Sequence, residues 1–205
     1  MNWVVATRNW DKFEEIKDIF ADLPVTLISL RDFPDVKSVE ETGTTLEENA
    51  LLKARAVHAV TGFPAIADDT GLEVDALDGA PGVYTARFAG PEATYEDNVD
   101  RLLSLLQDTL PAERTARFRT CAAFVGPEGE FTAEGQVEGA ITRQPRGNGG
   151  FGYDPVFQPV NESRTFAQMP LAEKQARSHR GLAFRALYRL LANSISTVKF
   201  EETTT

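Results

Sequence analysis

The sequence predicts an α/β fold of two lobes, and three observations carry that prediction. The chain opens on strand, loop, helix and strand, the usual start of an α/β fold. Its second half holds two long strands, residues 117–125 and 131–141, around the turn Pro127-Glu128-Gly129, as an antiparallel pair would. It closes on helical segments at residues 171–177 and 181–192. One lobe is read as α/β and the other as built on the long strand pair.

Each element has a local reason. Trp3-Val4-Val5-Ala6-Thr7 is apolar and reads as a buried strand. Phe13, Ile16, Ile19, Phe20 and Leu23 recur at helical spacing until Pro24 ends the pattern, and residues 25–30 form the next strand. Residues 31–43 make a polar, acidic connection. Thr44 and Glu47 then read as a capping box for a helix through Ala50, Ala54 and Val57 that stops at Gly62. Ala65-Ile66-Ala67 is a short strand ending in Asp68-Asp69-Thr70-Gly71, followed by extended residues 72–77 and the turn pair Asp78-Gly79. A further helix is expected over residues 95–106 with Thr94 as its cap.

Composition narrows the function classes. Of 205 residues, 42% are hydrophobic and 25% charged, ordinary for a soluble globular protein, so disorder is expected only in the tail, residues 200–205. The single domain is expected to span residues 1–199. No apolar run is long enough for a membrane helix, and the N-terminus has no signal-like pattern, which makes the cytoplasm the default location. The lone Cys121 sits in an apolar run and reads as a small buried hydrophobe. A net charge of −10 argues against polymeric nucleic acid as a partner and leaves a small anion possible, given local cations or a divalent ion.

Four clusters could carry chemistry. The loop Thr7-Arg8-Asn9-Trp10-Asp11-Lys12 leads into a helix N-terminus, which favours anions, although a plain helix cap would use the same asparagine. Asp68-Asp69, with Glu40-Glu41 upstream, offers oxygen ligands without histidine, a set that suits Mg²⁺ or Mn²⁺, while Asp-Thr-Gly is also turn chemistry. In an extended chain the two aspartates face opposite sides, so one could bind metal and the other face water. Four glycines between Gly147 and Gly152 bracket Phe151, and Gly152-Tyr153-Asp154-Pro155 completes the loop. Its two rings could stack on a flat base and its carboxylate could accept from the base edge. Finally, Lys174 and Ser178-His179-Arg180-Gly181 place two cations at a helix start that the helix dipole disfavours, and Arg180 offers only donors. His58, within an amphipathic helix, reads as structural or exposed.

Seven blocks in order resemble the inosine triphosphate pyrophosphatase family. They are T-R-N-W-D-K from Thr7, E-E-T-G from Glu40, E-N-A-L-L-K-A from Glu48, P-A-I-A-D-D-T-G-L from Pro64, G-A-P-G-V-Y-T-A-R from Gly79, G-G-F-G-Y-D-P from Gly149, and E-K through S-H-R-G from Glu173 to Gly181. The resemblance implies an elongated mixed β-sheet between two lobes with the nucleotide in the cleft, and a homodimer. It implies cleavage of noncanonical purine triphosphates, such as ITP, dITP and XTP, to monophosphate and pyrophosphate. By motif match, Thr7, Asn9, Lys12 and Lys53 would hold the triphosphate, flanked by Arg8, Trp10 and Asp11. Glu41 and Asp68, beside Asp69, would bind Mg²⁺ (or Mn²⁺), and Asp69 would act as general base. Phe151 would stack on the base, within the loop of Gly152 and Tyr153. Asp154, Lys174, His179 and Arg180 would complete the base pocket, with Thr70 close by. The family's first motif usually has glycine where Arg8 stands. A pyrimidine-specific relative would be expected to lack Phe151 and the His179-Arg180 pair. A sensor without turnover would need a damaged carboxylate set.

Overall fold

A computed structural model describes residues 1–21, 24–37 and 39–201, the last nine by backbone alone. Leu23 and the far end of the expected tail lie outside the described residues. The strands are β1 (Asn2–Val5), β2 (Thr26–Ser29), β3 (Ala65–Val74), β4 (Pro81–Gly82), β5 (Thr115–Gly126), β6 (Gly129–Ile141) and β7 (Phe157–Pro159). The helices are α1 (Trp10–Ile19), α2 (Leu46–Thr61), α3 (Tyr95–Leu105), α4 (Leu171–Arg177) and α5 (His179–Glu201). Among the described residues the strands hydrogen-bond in the order β2-β1-β3-β5-β6-β7, with β4 on β3. β1 runs parallel to β2 and β3, whereas β3–β4 and β6–β7 are antiparallel, so the sheet is mixed as expected. Only Pro127 and Glu128 join β5 to β6. A parallel crossover needs a dozen or more residues, so that connection closes a hairpin.

The chain divides into two compact units, each with its own core. The first comprises residues 1–69, 120–135 and 180–205. There Trp3 and Val5 of β1, Phe13 and Ile16 of α1, Phe20 at its C-terminal cap, Phe124 of β5 and Phe184 and Leu187 of α5 bury one another. The apolar positions of α1 recur every three or four residues, which is why one helix face closes over the sheet. The second unit comprises residues 70–119 and 136–179. Its core gathers Leu72, Val99, Leu102, Leu106, Phe118, Tyr153, Phe157 and Phe166. Cys121 is buried. No described helix is long and apolar enough to cross a membrane.

Two local expectations need correction. β3 does not stop at Asp68: it runs unbroken to Val74, and Leu72 and Glu73 pair with Gly82 and Pro81. Strand pairing overrides the turn chemistry of Asp-Thr-Gly, and Gly71 is absent from the glycines with positive φ. The capping box of α2 lies one residue later than expected. The Thr45 hydroxyl accepts from the Glu48 N–H, and the Glu48 carboxylate accepts from the N–H groups of Thr44 and Thr45. Gly62, at φ 70°, ends the helix in the left-handed conformation that glycine tolerates. α5 starts two residues before the expected segment, at His179.

Candidate active site

In the first unit, β3 delivers both aspartates and the helices supply their partners. Alternation along the strand sends the two side chains to opposite faces. Asp68 receives Lys12 Nζ from α1 at 3.2 Å, and Arg180 Nε and Nη2 from α5 at 3.3 and 3.2 Å. Asp69 is met from α2, by Lys53 Nζ at 2.8 Å and Asn49 Nδ2 at 3.3 Å. Asn49 and Lys53 are four residues apart and therefore share one helix face. Lys53 also reaches Glu41, at 2.9 Å. The second arm of the Arg180 guanidinium goes to the buried Glu15, at 2.5 Å.

Proximity to these charges sets the protonation states. Burial alone would raise the pKa of Asp68, but Lys12, Arg180 and Lys53 together outweigh it and hold the carboxyl well below its usual range. Asp69 goes the other way. Its burial raises the pKa, the neighbouring Glu41 adds to the rise, and Lys53 offsets only part of it. Burial lowers the Lys12 pKa despite the attraction of Asp68. For Lys53 the burial penalty is outweighed by Asp69, Glu41 and Asp68, so its pKa rises.

These groups surround a cavity of about 220 Å³ lined by Thr7, Arg8, Asn9, Lys12, Glu41, Lys53 and Asp68, among others. The cavity thus gathers most of the residues expected to meet the triphosphate. Asn9 does cap α1: its side chain accepts from the N–H groups of Asp11 and Lys12, and Thr7 Oγ1 accepts from the Asn9 N–H. Arg8 causes no backbone strain, since Asp78 and Asn161 are the described non-glycine residues with positive φ. Its guanidinium turns to the carbonyls of Val36 and Phe33. Trp10 is half exposed, lies on Phe13 and is faced by Arg31, and Asp11 is exposed in the first turn.

The carboxylates expected to share a metal are divided among cations as the chain stands. Among the described residues no three His, Cys, Asp or Glu side chains are gathered as a metal site. Asp68 is turned to Lys12 and Arg180, while Glu41 and Asp69 converge on Lys53. The reason is electrostatic: buried carboxylates need a counter-charge, and here side chains provide it.

In the second unit the glycine-rich loop is shaped by one carboxylate. Asp154 Oδ2 accepts from the Phe151 N–H at 2.9 Å and from Lys174 Nζ at 2.5 Å. Gly150 has φ 69°, and a Cβ there would stand 2.0 Å from that oxygen, so only glycine fits. The Lys174 ammonium sits 4.9 Å from the centre of the half-buried Phe151 ring, and Tyr95 lies 5.9 Å from it. Asp154 therefore organises the loop and anchors Lys174, a duty the sequence reading had not assigned. Gly152, at φ 60°, faces open space.

Two residues expected to meet the ligand make core contacts. Tyr153 is 4% exposed, belongs to the core and donates its hydroxyl to the Thr85 carbonyl, so it is no second stacking platform. His179 is buried and stacks on Phe118 at 4.5 Å. An aromatic ring at a helix start packs wherever the core offers ring neighbours, and spacing alone could not reveal those. Thr70 is half-buried on β3. His58 is structural as read, with Nδ1 2.7 Å from the Phe63 carbonyl.

Glu15, Asn49 and the cavity-lining Lys37 were missed from sequence. Glu15 stands three residues after Lys12 and Asn49 four before Lys53, so helical spacing from the chosen lysines would have found both.

A sequence profile described as the Ham1 family matches residues 3–190, nearly the whole chain. The chain belongs to the Ham1 family. Among its Ham1 relatives, the dITP/XTP pyrophosphatase of Geobacter sulfurreducens is 52% identical over 185 residues, covering 90% of this chain and 93% of the relative. The dITP/XTP pyrophosphatase of Streptomyces coelicolor is 48% identical over 187 residues, covering 90% and 94%. The solved structure of a HAM1 protein from Coxiella burnetii has a TM-score of 0.84 at 38% identity, covering 94% of this chain and 99% of that one.

Proposed function

We propose that this chain hydrolyses noncanonical purine nucleoside triphosphates, dITP, ITP and XTP, to the monophosphate and pyrophosphate, with a divalent metal. The observation that carries the reading is the cavity where Lys12 and Lys53 stand beside Glu41 and Asp68, with Asp69 on the same lysine. The lysines suit a polyphosphate, and the carboxylates suit a hard cation and a water. The relatives named dITP/XTP pyrophosphatase support the substrate class.

Glu41 and Asp68 both line the cavity and would hold Mg²⁺ or Mn²⁺ through oxygen ligands alone, beside Asp69 on Lys53. Bound there, the metal would neutralise phosphate charge and polarise a phosphoryl oxygen. Glu15, Glu41, Asp68 and Asp69 already engage Lys12, Lys53 and Arg180, and a bound metal would offset those carboxylates as a polyanion enters. Asp69 takes the proton from water as its oxygen attacks phosphorus, and its raised pKa suits a proton acceptor. The bond between the α and β phosphates breaks, and Lys12 and Lys53 stabilise the departing pyrophosphate. Phe151 stacks on the base and Lys174 lies at its ring. Arg180 has five N–H donors, and the carboxylates engage three of its nitrogens once each. Arg180, which has donors and no acceptor, would favour a base with oxygen at C6 over adenine. We further propose a cytoplasmic homodimer.

The test is pyrophosphate release from dITP, XTP, ITP, GTP, ATP and dUTP, with Mg²⁺ and with EDTA. Fast release from the first three, lost in EDTA, is expected. Equal turnover of dUTP would overturn the purine reading, and full activity in EDTA would overturn the metal.

A further inference from the structure

A second cavity, of about 510 Å³, lies within the second unit and is lined by Arg114, Arg143 and Arg146, with Thr142, Gln144 and Gln158 as further polar groups. No aspartate or glutamate lines it. In a chain of net charge −10, three guanidinium groups around one acid-free cavity run against the overall balance.

The three arginines differ in a useful way. Arg114 is 3% exposed, and its guanidinium donates to three carbonyls: Ile141 at 2.8 Å, Leu106 at 2.5 Å and Thr142 at 2.9 Å. Those bonds satisfy its geometry but supply only partial charge. A guanidinium has five N–H groups, so two remain. Arg143 is exposed and makes no hydrogen bond or ion pair among the described residues. Its charge adds to burial in disfavouring the charged form of Arg114, so the two guanidiniums repel. Arg146 donates to the Gln158 side chain at 2.5 Å, and its backbone is fixed by bonds with Pro155 and Thr165. A buried cation with no carboxylate, next to two more that lack one, is a charge arrangement that an anion would relieve.

We propose that this cavity is an anion site for a phosphate-bearing ligand, such as free pyrophosphate or the phosphates of a nucleotide. Cavities of roughly 300–1,000 Å³ hold small molecules rather than macromolecular surfaces. The guanidinium fork matches phosphate oxygens two at a time, which a lysine cluster would not. The Gln144 side-chain amide adds a neutral donor at the rim, whereas the Thr142 hydroxyl and the Gln158 amide already donate to backbone carbonyls. This reading stands on the cavity alone and does not depend on the proposed hydrolysis.

The test is calorimetric titration of the full chain with inorganic pyrophosphate at low salt in EDTA, for wild type, Arg143→Gln and Arg143→Glu. Arg143 is exposed, so an unchanged thermal midpoint serves as the folding control. Hydrogen exchange on the same samples locates the binding. The expected result is protection of residues 140–147 by pyrophosphate, with affinity there falling at least tenfold in Arg143→Glu and less in Arg143→Gln. A parallel titration with a nucleoside monophosphate separates the two sources: comparable protection of residues 140–147 assigns the site to single phosphoryl groups, and none assigns it to pyrophosphate. Protection confined to residues 7–12 and 53, identical in all three proteins, would overturn the proposal. So would a change in self-association on Arg143→Glu without pyrophosphate binding, which would give the cavity to an acidic segment of a second copy.

Discussion

The Asp68-Asp69 centre and the Phe151 loop are held in place by different physics. At the aspartates the backbone is an ordinary strand, and the geometry is set by side-chain charge: Lys53 bridges Glu41 and Asp69, Arg180 bridges Glu15 and Asp68, and Lys12 pairs with Asp68. At the loop the side chains are few and the backbone is unusual, with Gly147, Gly150 and Gly152 at positive φ and Asp154 holding the turn from inside. The first kind of site resists changes of shape but not of charge. The second tolerates little added volume, and its charge is confined to the pair of Asp154 with Lys174. Substitutions in the two regions should therefore fail in different assays.

The largest expected effect is on turnover. Asp69→Asn keeps size and hydrogen bonding but cannot take a proton, so kcat should fall about 10²–10⁴-fold with an unchanged thermal midpoint. Near wild-type turnover would reduce Asp69 to a strand residue. Next comes stability. Arg180→Ala removes the buried cation shared by Glu15 and Asp68, which should cost about 3–5 kcal/mol in denaturant unfolding. Among substrates, a proportionally greater loss for ITP than for ATP would credit its guanidinium with base reading, and an equal loss would confine Arg180 to holding Glu15 and Asp68.

Acid should act on the same centre. The folded pKa of Asp68 is depressed, so its stabilising contribution is complete above the unfolded carboxylate value of about 4 and is lost as pH falls toward the folded value. Asp68→Asn should flatten the unfolding free energy between roughly pH 4 and pH 2 relative to wild type. An unaltered acid limb would mean that other carboxylates dominate there.

The loop should answer to volume. Gly150→Ala places a methyl against Asp154 at a backbone angle that alanine avoids, a strain of about 1–3 kcal/mol. It should raise KM for the purine substrates more than it lowers kcat, because it disturbs Phe151 and not Asp69. The smallest change tests the missed residue. Asn49→Ala removes one donor to Asp69 and the side-chain acceptor of the Gly43 N–H, and should cost about 1–3 kcal/mol. A lowered kcat with KM unchanged would mark Asn49 as a positioning residue, and an intact kcat would limit it to the fold.

Much of this molecule was legible in the chain because the signals are local. The spacing of Phe13, Ile16 and Phe20 marks α1, Thr94 caps α3, Gly62 ends α2, and the run of glycines marks the loop. Each depends on a residue and its near neighbours. Alternation along an extended chain also foretold that Asp68 and Asp69 would face apart. What the sequence could not say is who meets whom. The Asp-Thr-Gly segment has good turn chemistry and became mid-strand, because β3 lies between β1 and β5 in the sheet and continues into its pairing with β4 at Leu72 and Glu73. Tyr153 looked like Phe151 on paper, and only the packing of the second unit buried one ring and left the other half open. Arg180 and Glu15 are 165 positions apart, and a buried charge takes its partner from whatever the fold brings within reach. Local conformation follows from covalent neighbours, whereas charge pairing and burial follow from long-range contacts, and those only the tertiary structure decided.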